Sequence, residues 1–87
     1  MSEHRNTVNI AESTEIAIQL FRDGSIEDAE ILFRTVLNID PNHPVALHFL
    51  GLIAHHEGKH QLAAQHIGAA LAVSPNYVEA HSNLGIV

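Results

Sequence analysis

A displacement of 34 residues lays this chain onto itself. Gly24 falls on Gly58, Ala29 on Ala63, Leu37 on Leu71, Pro41 on Pro75 and Asn42 on Asn76. The next register brings Ala46 onto Ala80, Leu50 onto Leu84 and Gly51 onto Gly85. The matched residues are small, apolar or turn-forming, the types that a shared backbone demands. A period of this length marks a supersecondary unit that cannot bury its apolar side alone and gains its core by stacking on its neighbours.

Each unit reads as two helices. Asn9 with Glu12 resembles a capping box, so a helix is expected from about Ile10. Ile10, Ile16, Ile18, Leu20 and Phe21 supply its apolar content, and Gly24 stops it. Ser25 with Asp28 is the corresponding start of a second helix, along which Ala29, Leu32, Phe33, Val36 and Leu37 recur at helical spacing. The run Asp40-Pro41-Asn42-His43-Pro44 then breaks the chain. It sets Pro44 at the first position of the next helix, where a missing N–H is harmless. A third helix is expected from about Pro44 to Glu57, ended by Gly58. A fourth runs from about His60 to Val73, with Leu62, Ala63, Ile67, Ala70 and Leu71 inward. A fifth begins near Val78 and continues to Val87. No stretch alternates with the period of a strand. Gly51 and Gly85 fall inside helices, where glycine costs about 1 kcal/mol against alanine. That cost implies close approach of a neighbouring helix, with Ala29 and Ala63 at the facing positions.

These residues resemble the tetratricopeptide (TPR) repeat, whose 34-residue helix–turn–helix unit carries Leu-Gly in its first helix. In the second helix it carries an early alanine, a large apolar residue four positions later and a closing proline. Leu50, Gly51, Ala63, Ile67, Ala70 and Pro75 match in one unit, and Ala29, Phe33 and Pro41 in the other. Ile16-Ala17 stands for Leu-Gly in the first unit, Leu20 for the usual tyrosine and Val36 for a small alanine. Ser13 and Leu47 stand where the family carries tryptophan. The resemblance implies an all-α, TPR-like helical-hairpin solenoid of about two and a third repeats and five helices. Its parts are a flexible tail (1–9), repeat 1 (10–43), repeat 2 (44–77) and helix A of a truncated third repeat (78–87).

In that family the first helices line a concave groove that grips extended peptides. By position, the groove here would present Thr14, Glu15, Ile18 and Arg22, then His48, Phe49, Leu52, His55 and His56, then Ser82 and Asn83. The implied function is a protein–protein interaction scaffold, the N-terminal part of a larger bacterial protein. The places at which one TPR subclass clamps a C-terminal carboxylate are Thr14, Ile18, Phe49, Glu79 and Asn83. Both lysines are missing, so that ligand is disfavoured. The run Ala80-His81-Ser82-Asn83-Leu84-Gly85 looks like the repeats ahead of bacterial glycosyltransferases related to peptide O-GlcNAc transferase. A substrate-presenting arm of such an enzyme is therefore an alternative. Self-association through the uncapped C-terminal helix, where Leu84, Ile86 and Val87 would normally meet a sixth helix, is another.

Charge excludes other partners. The formal charge is −6, and Arg5, Arg22, Arg34 and Lys59 are the only cationic side chains besides histidine. Scattered in this way, they cannot neutralise a phosphate backbone or an anionic membrane surface. No apolar run approaches the roughly 18 residues of a membrane helix. Residues 1–9 lack a signal-peptide core, and cysteine is absent, so a cytoplasmic location is expected. Acidic residues crowd the first half, whereas seven of the eight histidines lie from His43 onward. The uneven distribution reads as two differently solvated faces or, alternatively, as a surface whose charge changes between about pH 5 and 8 as histidines protonate.

One motif touches catalysis. His56-Glu57-Gly58-Lys59-His60 reads as H-E-x-x-H, which binds zinc when both histidines lie one turn apart on an unbroken helix. Gly58 coincides in the repeat with the turn glycine Gly24, so the motif is expected to straddle a bend, with its histidines on different helices. His48 and His55 lie about 10 Å apart along a helix, and His55 and His56 diverge around it. The expectation is therefore no enzyme, no cofactor and no metal centre.

Overall fold

The structure, a computed structural model, describes residues 9–86, with side chains through residue 85. The expected tail, Asn9 excepted, lies outside the described residues, as do Val87 and the side chain of Ile86. Five helices follow in order: α1 (Ile10–Arg22), α2 (Ile26–Ile39), α3 (Pro44–His56), α4 (His60–Val73) and α5 (Val78–Ile86). Among the described residues there is no strand, and no helix is long and apolar enough to cross a membrane. α1 packs on α2 and α3 on α4 as hairpins, while α2–α3 and α4–α5 contacts join one unit to the next. The fold is the expected helical-hairpin solenoid, elongated to 47 × 27 × 17 Å.

The backbone repeats with the period of the sequence. Gly24 and Gly58 both take left-handed φ, at 88° and 82°, a region that glycine enters without steric cost. The following N–H reaches back five residues in each case, Ser25 to the Leu20 carbonyl at 2.9 Å and Lys59 to the Ala54 carbonyl at 2.8 Å. This is the Schellman closure of a helix end. Asp40 (φ −130°, ψ 88°) and Ser74 (φ −132°, ψ 85°) end α2 and α4 in nearly the same conformation. The burial pattern repeats too. Ala29 and Ala63, Phe33 and Ile67, Val36 and Ala70, and Ala46 and Ala80 are all fully buried.

Starts are less regular than stops. The Asn9 side chain accepts the Glu12 amide at 3.0 Å, as the capping box anticipates. Ser25, by contrast, makes no side-chain capping bond. α3 is capped by His43, whose Nδ1 accepts the Ala46 amide at 3.2 Å, and Pro44 takes the first helical position. α3 also closes at His56, one residue earlier than expected, with Glu57 as its C-cap.

Gly51 explains the tightest seam. A Cβ at this position would lie 2.5 Å from Ile67 Cγ1 and 3.1 Å from the Ala63 carbonyl oxygen. The α3 backbone therefore touches the α4 backbone at Ala63, the facing position expected from sequence. Gly85, the repeat partner of Gly51, meets nothing within 4 Å.

Candidate functional site

Alternate helices meet side by side through aromatic and polar side chains. Phe21 of α1 meets Phe49 of α3 edge to face, with centroids 5.3 Å apart. Phe33 of α2 stacks on the same ring at 5.2 Å. Phe49 is thus the hub joining α1, α2 and α3. It belongs to packing even though it stands at an expected groove position.

His48 does the same between α3 and α5. It is 2% exposed. Its Nδ1 lies 3.0 Å from the Tyr77 hydroxyl, and its Nε2 lies 2.8 Å from the Asn83 amide nitrogen. An amide nitrogen can only donate, so the neutral ring accepts at Nε2, keeps its proton on Nδ1 and donates it to the Tyr77 oxygen. Burial pushes the His48 pKa down, against a smaller upward pull from Glu79. Burial, with Glu79 beside it, pushes the Tyr77 phenol up. No buried side-chain polar atom lacks a partner among the described residues.

The expected groove set divides accordingly. Thr14 is buried and its hydroxyl donates to the Ile10 carbonyl of its own helix at 2.7 Å. Thr14 and His48 therefore belong to the interior, and the expectation that they face a ligand is corrected. Asn83 is half-buried, with its amide nitrogen committed to His48. Glu15, Arg22, His56 and Ser82 are exposed, while Ile18, Leu52 and His55 are partly exposed. Together with Phe49 and Asn83, which are also partly exposed, these residues are the part of the set open to solvent.

The H-E-x-x-H residues are divided by the turn. His56 ends α3, Gly58 is left-handed and His60 opens α4, so the helical zinc signature is not formed. The turn instead brings His55 against His60, with the two Nδ1 atoms 3.0 Å apart and the rings edge to face at 4.8 Å. Sequence reasoning compared histidines along one helix and missed this pair. The signal was available in the Gly58 turn, which folds residues five apart onto each other. Tyr77 was missed as well, because its partner lies 29 residues away and no local pattern points to it.

No family model matches the chain, and no curated protein matches it.

Proposed function

We propose that this chain is a TPR-type scaffold that holds an extended peptide segment of another protein and performs no chemistry of its own. The observation that carries this reading is the lateral row of alternate helices. Phe21–Phe49 joins α1 to α3, and His48–Asn83 joins α3 to α5. Left-handed glycines of near-identical φ set the two hairpins to one geometry. Equal units stacked in this way offer a continuous surface made of repeated positions, which suits an extended ligand better than a compact one.

The contact set of this groove is Glu15, Ile18, Arg22, Leu52, His55, His56 and Ser82, with the outer edge of Asn83. Apolar Ile18 and Leu52 lie between ionic and polar neighbours, which favours a partly apolar segment. The test is selection of peptides from a displayed library, followed by fluorescence-polarisation affinities. Leu52→Ala and the pair Glu15→Arg, Ser82→Arg should each weaken a selected peptide about tenfold or more, whereas Ile31→Ala on α2 should leave it unchanged. Failure to select any peptide, or a loss confined to Ile31→Ala, contradicts the reading.

A second reading is favoured by one observation. Val78 is 76% exposed, and Gly85 meets nothing at the position where Gly51 meets α4. An assembly module would use that open side of α5. A sedimentation mass that stays monomeric with rising concentration removes it.

A further inference from the structure

We propose that His55 and His60 form a chelating site for a divalent transition-metal ion, clipping the end of α3 to the start of α4. The argument is geometric. The two Nδ1 atoms face each other at 3.0 Å. With no ion present, the N–H of one ring at Nδ1 donates to the lone pair of the other, and both lone pairs become free for an ion once that proton sits on Nε2. Histidine nitrogens bind zinc at about 2.0–2.1 Å. Two nitrogens 3.0 Å apart at that distance from one ion subtend about 94°. That is close to the 90° of adjacent ligands in square-planar or octahedral coordination, as copper(II) and nickel(II) prefer. The tetrahedral angle of zinc needs about 3.3 Å, a small opening for two side chains at the edge of a turn.

The rings lie edge to face at 4.8 Å, and binding asks each Nδ1 lone pair to turn from its neighbour towards a shared ion. The Gly58 turn that holds them is closed by the Lys59 N–H on the Ala54 carbonyl. Lys59, the nearest fixed cation in sequence, is drawn to Glu57 at 3.2 Å, which moderates its repulsion of an incoming ion. Binding moves the single inter-ring proton to an outward Nε2 through solvent, so the rings keep their neutral charge. Among the described residues no group of three or more histidines, cysteines or carboxylates could hold an ion. The protein therefore supplies two donors, and the remaining positions fall to water. His60 is exposed and His55 partly so, which leaves an entry path.

This site differs from the H-E-x-x-H reading in one residue, and the experiment uses that difference. The tag-free 87-residue chain is titrated with nickel(II) and with zinc(II) by isothermal calorimetry, while imidazole nitrogen shifts are followed by NMR. One ion per chain is expected, with Nδ1 shifts at His55 and His60. His55→Ala and His60→Ala should each weaken binding by more than the roughly 10–100-fold that loss of a supporting group around a metal costs. His56→Ala and His81→Ala should bind as the unaltered chain does. Circular dichroism of each variant confirms that the helices persist. Absence of binding below millimolar ion, binding that survives His60→Ala, or binding lost in His56→Ala overturns the proposal.

Discussion

Gly51 and His48 are the two residues at which a single atom decides the packing. A methyl at Gly51 meets Ile67 Cγ1 and a backbone oxygen, and neither can swing aside. The helix-propensity gain of alanine, about 1 kcal/mol, is set against an overpacking cost of about 1–3 kcal/mol. Gly51→Ala should therefore lower stability in urea unfolding by up to about 2 kcal/mol. Gly68, on α4, meets nothing within 4 Å, and Gly68→Ala should raise stability by about 0.5–1 kcal/mol. The first unit carries the complementary solution. Ala17 stands at the place of Gly51, and Phe33, unbranched at Cβ, at that of Ile67. Ile67→Phe should accordingly recover part of the Gly51→Ala loss in a double-mutant cycle.

At His48 the sign of the pH effect follows from the geometry. The folded ring resists a proton because it is buried and because Nε2 faces an amide donor. The unfolded ring takes one near the ordinary imidazole pKa of about 6.5. Below that pH the unfolded state binds more protons, so stability declines as pH falls and levels off below the folded pKa. His66, whose pKa burial and then Arg34 push down, acts in the same direction. His48→Gln should flatten this decline between pH 7 and 5 in thermal unfolding. An unchanged slope would show that His48 is not its source.

Among the elements, helix ends separate what sequence discloses from what it does not. The stops were legible because glycine at Gly24 and Gly58 and proline at Pro41 and Pro75 act through their own backbones. The starts were less so, because a cap depends on where a side chain turns. Asn9 bonds as its spacing suggests, Ser25 does not, and a histidine caps α3. Asn9→Ala should cost about 1 kcal/mol of stability and Ser25→Ala only a few tenths, a contrast that chemical denaturation resolves. For the expected groove residues, sequence gives the helix and not the surroundings of the side chain. Period placed Thr14, His48 and Phe49 on the correct helices. Only tertiary contacts with Tyr77, Asn83, Phe21 and Phe33 reveal that His48 is buried and that a half-buried Phe49 packs between helices.

For the molecule as a whole, stability passes from unit to unit, as in repeat arrays. α5 is held by α4 contacts and by the His48–Tyr77–Asn83 bonds, while its outer side stays open at Val78 and Leu84. It should exchange its amide hydrogens faster than α3, whose residues Ala46, Leu50 and Ile53 are buried. His48→Ala should raise exchange in α5 and leave α1 nearly unchanged. Equal acceleration in both would mean that the chain opens as one cooperative block.

The account depends on two equal hairpins folded at left-handed glycines, and proton–proton NOEs test this most directly. An NOE from the Gly51 Hα protons to the Ile67 side chain is expected, together with contacts between the Phe49 and Phe33 rings and a break in helical carbon shifts at Gly58. Helical shifts running unbroken from His56 through His60, with no Gly51–Ile67 NOE, would contradict it.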